Sequence, residues 1–207
     1  MQNKVFRLII TRPTSMSGVH HCGTGSCSHQ VSYPSAHQTL DEMDFERGIW
    51  SAAMDGDLER VKSLLKKGVD PNIRASANYT ALHYASRSGH ESVCKLLLQS
   101  GACANLQTLG GATALHRSAY CGHLDVVQLL LHHGADPQIC DDDGSSPLHK
   151  YFVCWHMKQA AEQDHEEVCR LLLQYCPSLW GHPNNKSLVP YQLAPDGHLK
   201  ELLKPPQ

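Results

Sequence analysis

Thr80–Ala102 reads TALHYASRSGHESVCKLLLQSGA, and Thr113–Ala135 reads TALHRSAYCGHLDVVQLLLHHGA. The two stretches start 33 residues apart, and 33 beyond Thr113 stands Ser146, which opens SPLHK. Gly56, Gly89 and Gly122 follow the same interval. Several residue types recurring together at one period mark a chain built from stacked copies of a small unit.

Each unit has a physical reading. Thr80, Thr113 and Ser146 carry hydroxyls suited to N-capping a helix. Ala81, Ala114 and Pro147 follow at the first helical position, where proline loses nothing. Leu82, Leu115 and Leu148 then point inward. Gly89 and Gly122 end this first helix, because a left-handed residue is least costly as glycine. A second helix follows with apolar residues at i, i+3 and i+4: Val93, Leu96 and Leu97, then Val126, Leu129 and Leu130, then Val168, Leu171 and Leu172. It stops at SGACAN, HGADPQ and YCPSLW, which are turn-rich. A single such helix pair cannot bury its apolar faces, whereas a stack shares one core.

These patterns resemble ankyrin repeats over about Glu46 to Leu203. The resemblance implies an all-α solenoid of helix-turn-helix units with hairpin-like turns, acting as a non-enzymatic adaptor that binds a partner protein on its concave face. It also implies that His83, His116 and His149, which share one slot, tie each helix start to neighbouring turns. His90, His123, His165 and His198 share another slot. The expected organisation is a disordered tail over 1–38 and a repeat domain over 39–203. Within the domain, a cap covers about 46–79 and repeats cover about 80–112, 113–145 and 146–186. A closing cap covers 187–203. Thr39–Glu42 fits a capping box at the start. Ile49, Ala52 and Ala53 match the later Leu and small-pair slots, with Trp50 in the histidine slot. Val189–Leu203 reads as a degenerate closing unit.

The third repeat carries nine extra residues, Tyr151 to Gln159. On a helix, nine residues turn by about 900° and rise about 13.5 Å, which would put Leu148 and the Ala160–Ala161 pair on opposite sides. The insert is expected to loop out, to restart the helix with Met157 in the Leu148 slot, or to fuse everything into one long helix. The restart is attractive because Met157 precedes Ala160 as Leu82 precedes Ala85. An origin as a splice or gene-model variant is favoured over an evolved binding element.

Partner contacts are expected at the turn tips and inner helices: Tyr79, Arg87, Leu109, Tyr120, Asp142, Asp143 and Glu162. Ser76, Ala77, Ser88, Ala112, Cys121, Ser145 and Gln163 lie beside them. Aromatic residues and arginine are the types that dominate binding energy. The acidic DDDG turn favours a partner with an apolar or aromatic anchor and a basic flank.

Composition narrows the alternatives. The 207 residues carry a formal net charge of −2, so no global basic field recruits nucleic acid. No apolar run approaches the roughly 20 residues that span a bilayer. Nine cysteines are an odd number, and six of them (Cys94, Cys103, Cys121, Cys140, Cys169 and Cys176) are scattered without paired spacing. Reduced thiols in the cytosol or nucleus, in a monomer without a cofactor, are the expectation. HHCGTGSCSH (His20–His29) offers zinc-type ligands in Cys22, Cys27 and His29, but lacks the second ligand pair of a structural site. A zinc-assisted interaction protein is therefore the alternative reading. MQNKVFRLIITRPTS is expected to be an upstream extension before Met16, rather than a transit peptide. No HExxH, G-x-S-x-G or dinucleotide fingerprint occurs, so nothing points to an enzyme.

Overall fold

The computed structural model describes residues 45, 47–155 and 164–194. Among the described residues, the ordered elements are helices and turns. The helices come in pairs. The inner members are α1 (Ile49–Asp55), α3 (Ala81–Ser88), α5 (Ala114–Cys121) and α7 (Pro147–Trp155). The outer members are α2 (Leu58–Lys66), α4 (Glu91–Gln99), α6 (Leu124–His132) and α8 (Asp164–Tyr175). A short α9 (Pro190–Leu193) closes the series. Inner helices stack on inner, outer on outer, and each pair packs within itself. One continuous cluster of buried residues runs from Ile49 to Ala194.

The inner helices start where the repeated hydroxyls stand. Thr80 and Thr113 are extended, and each begins a capping box whose other half is a histidine three residues on. The backbone N–H of Thr80 donates to His83 Nδ1 at 3.2 Å, that of Thr113 to His116 Nδ1 at 3.1 Å, and that of Ser146 to His149 Nδ1 at 3.2 Å. The other ring nitrogen then faces a carbonyl, which can only accept, so Nε2 carries the proton. His83 Nε2 reaches Ala112 O at 3.2 Å and His116 Nε2 reaches Ser145 O at 3.0 Å. Each histidine thus caps its own helix and fastens the hairpin of the next unit.

The second histidine slot works across the outer edge. His90 Nε2 donates to Met54 O at 3.0 Å and His123 Nε2 to Arg87 O at 3.1 Å. Gly89 ends α3 at φ 78°, and a Cβ there would lie 2.7 Å from the His123 ring. Backbone conformation and the neighbour's ring both require glycine. A third set of ties is made by asparagine. Asn72 Nδ2 donates to Gly101 O and its Oδ1 accepts from Cys103 N; Asn105 does the same with Gly134 O and Asp136 N. In the next copy that slot holds Gln138, whose Nε2 meets Cys176 Sγ at 3.2 Å instead.

The ends depart in kind. Trp50, in the first histidine slot, uses its indole N–H on Ile73 O at 3.1 Å. In the closing unit Gln192 takes the slot, and its Oε1 accepts from Val189 N at 3.1 Å. His149 Nε2 finds Leu188 O at 3.1 Å, 39 residues on, against a span of 29 for His83 and His116. The nine-residue insert therefore accounts for all but one residue of the difference, and the hairpin tip itself keeps its length, Asn184 N donating to Leu188 O as Asp141 N does to Ser145 O.

The third repeat keeps its start at Ser146, and Met157 lies outside the described residues. Ser146 still meets His149, Leu148 and His149 are fully buried, and α7 runs unbroken from Pro147 to Trp155. Leu148 keeps its own slot in the core. The helix continues because YFVCW contains neither glycine nor proline. The consequence falls on packing. Ala85–Ser86 and Ser118–Ala119 are small pairs facing the outer helix, and their counterpart is Tyr151–Phe152, 1% and 0% exposed. These two rings meet edge to face, centroids 4.9 Å apart. Two aromatic rings thus stand in the third repeat where the preceding repeats have small side chains. The stacks on either side stay in contact.

Candidate functional site

The surface formed by the hairpin tips and the exposed sides of α3, α5 and α7 is continuous because the tips are tied in series. Leu109 N donates to Ala77 O at 2.9 Å, Asp142 N to Gly110 O at 3.2 Å, and Asn185 N to Asp143 O at 3.0 Å. The slot after each capping histidine opens onto this surface and holds Tyr84, Arg117 and Lys150, all half-buried. These three were not singled out from the sequence. The available signal was variation: that slot changes type from unit to unit while its neighbours repeat.

Tyr79 and Tyr84 lie 5.2 Å apart, centroid to centroid, and the Arg117 guanidinium sits 5.0 Å above the Tyr79 ring. Phe45 extends the row, 5.3 Å from Tyr84 and 6.2 Å from Trp50. Burial pushes the Tyr84 phenol up from its usual value, with Tyr79 adding to the effect. Beyond Arg117 a cavity of about 400 Å³ is lined in part by Tyr120, His116, Asp141, Asp143 and Lys150. Lys150 Nζ lies 2.6 Å from Asp141 Oδ2 and 2.8 Å from Asp143 Oδ2. Burial draws the Lys150 ammonium down, but its bonds to both aspartates outweigh that and raise it; the same bond holds the Asp143 carboxyl below its ordinary value. The Asp141 side chain also accepts from Asp143 N and Ser145 N, so it shapes the turn as well as carrying charge.

The capping histidines floor this surface as neutral rings. Burial lowers His83 and His116 to about 4, against the opposing effect of the carbonyls of Ala112 and Ser145. His149 is lowered by the same cause.

Of the residues proposed from sequence, Tyr120 and Asp143 share the cavity, and Tyr79 stacks against its Arg117. Leu109 stands on a tip with 68% of its surface exposed. Asp142 is exposed and its carbonyl accepts from Asn185 Nδ2 at 2.8 Å. Arg87 is exposed, and its carbonyl takes the His123 bond. Glu162 lies outside the described residues, as do Cys22, Cys27 and His29. Among the described residues no three His, Cys, Asp or Glu side chains gather as metal ligands, and no helix is long and apolar enough to cross a membrane.

Comparison with known proteins agrees with this architecture. A family model described as ankyrin repeats in three copies matches residues 49–141. The chain is 62% identical over 76 residues to ankyrin repeat domain-containing protein 39 of Bos taurus, covering 36% of this chain and 42% of that protein. The Homo sapiens protein of the same name is 60% identical over 75 residues, 36% of this chain and 41% of its own. Ankyrin repeat domain-containing protein 46 of Rattus norvegicus is 46% identical over 44 residues, 21% of this chain and 19% of that one. The match thus spans about two fifths of the first two relatives, 42% and 41%.

Proposed function

We propose that this chain, which matches ankyrin repeats over residues 49–141, is a non-catalytic scaffold for protein–protein interaction and binds its partner on the face made by the hairpin tips and inner helices. One observation carries this reading. The repeated framework residues are buried and satisfied by one another, while this face gathers aromatic, leucine and cationic side chains at slots that change from unit to unit: Tyr79, Tyr84, Leu109, Arg117, Tyr120 and Lys150. The face offers an aromatic row, an exposed leucine and a charged cavity, a mixture suited to a peptide-like segment. The chain works as a monomeric adaptor in the cytosol or nucleus, without nucleic acid. The free thiols of the described cysteines support a reducing compartment.

Site-specific photocrosslinking in cells tests it. A crosslinker replacing Leu109 or Tyr120 should capture the same protein, and one replacing Lys95 or Gln128 on the outer helices should not. Capture from the outer positions alone would overturn the assignment.

A further inference from the structure

Arg117 differs from Lys150, the cation beside it on this face. In the equivalent slot of the next unit, Lys150 is neutralised by Asp141 and Asp143. Arg117 forms no ion pair among the described residues, and its Nε is buried without a hydrogen-bond partner. Its guanidinium is nevertheless held in place, 5.0 Å above the Tyr79 ring, at the wall of the cavity that Tyr120 also lines. A positioned, half-buried fork of N–H donors with a donor unsatisfied matches a planar carboxylate. The aspartates across the cavity do not compete for Arg117, because Lys150 already holds them.

Lys150 and Asp143 also wall a second cavity of about 280 Å³, bounded by Lys186, Leu188 and Leu193. The two cavities share Asp143 and Lys150 in their linings, so a chain lying in the first has a neighbouring recess on the far side of Lys150. That adjacency favours an internal stretch of an extended segment over a chain end.

We propose that the cavity between the second and third repeats receives an aspartate or glutamate side chain from an extended segment of the partner, its carboxylate bound by Arg117. This deepens the concave-face reading and rests on it, while reversing the basic flank expected from the DDDG turn. Asp141 and Asp143 both bond Lys150, whereas Arg117 has no carboxylate partner among the described residues.

The test is selection of a phage-displayed random peptide library on the full chain, followed by affinity measurement with a synthetic selected peptide. The selected peptides should share one acidic position. Arg117→Gln, and exchange of that acid for its amide, should each weaken binding about tenfold to a hundredfold. The two changes together should cost little more than either alone, and Arg117→Lys should restore part of the affinity. Thermal unfolding of each variant confirms that it folds. Peptides that depend on Leu109 but share no acid, or that bind Arg117→Gln unchanged, overturn this inference and leave the concave-face assignment standing. A library yielding no peptide sensitive to either residue counts against both.

Discussion

Acidification from pH 7 to pH 5 should destabilise this protein through its capping histidines. His83 and His116 titrate at about 4 in the folded chain against the ordinary 6.5, because burial penalises the imidazolium. Protonation has a structural cost too: Nδ1 accepts from the backbone N–H of Thr80 or Thr113, and a protonated Nδ1 turns that acceptor into a donor facing a donor. The unfolded chain therefore binds more protons below pH 6.5, so stability is full above that value and falls as pH drops toward 4. At pH 5 an unfolded histidine is about thirtyfold more protonated than neutral, and a folded one about tenfold more neutral than protonated. The difference is about 2 kcal/mol for each ring, about 4 for the two. His149 adds in the same direction. Urea unfolding followed by far-ultraviolet circular dichroism at pH 7 and pH 5 measures the sum. His116→Gln supplies the control, since Gln192 shows that a side-chain amide can accept the same backbone bond. The variant should lose about 2 kcal/mol less between the two pH values. A wild-type stability that is flat over this range, or a variant with an undiminished slope, would refute the reasoning.

Three further outcomes follow from packing and backbone. Gly89→Ala should destabilise by at least about 2 kcal/mol, measured by thermal unfolding, because it combines a left-handed backbone with a collision against the His123 ring. Phe152→Ala should cost about 3 to 5 kcal/mol in a denaturant titration; a near-neutral result would mean that the aromatic pair does not fill the space between α7 and α8. Ala77→Gly should instead stabilise by about 0.5 to 1 kcal/mol and raise the melting temperature, since Ala77 sits at φ 55°, where glycine is unstrained.

Much of the architecture was legible in the period of 33. The hydroxyl, the histidine three residues on and the closing glycine are local signals. Each acts within one turn of helix, so spacing alone reveals them. The histidines' destinations were implied only by family resemblance, because the carbonyls they reach lie 29 residues away in the next unit. The candidate site was less legible for the same reason. Turn-tip residues such as Leu109 and Asp143 could be placed by register. The importance of Arg117 could not, because it depends on which cations find carboxylates, and Lys150 finds two while Arg117 finds a ring.

The interrupted repeat divides the two kinds of information most sharply. Sequence by itself determined that nine residues were added after Lys150, and that nothing in YFVCW would stop a helix. Only the tertiary structure decided which residues keep their slots. Ser146, Leu148 and His149 hold theirs because cap, core contact and hairpin tie act together, whereas a restart at Met157 would surrender all three. Tyr151 and Phe152 then occupy, fully buried, the positions that elsewhere hold alanine and serine. Local propensity sets where a helix starts and that it continues; the neighbours stacked on either side set what it packs against.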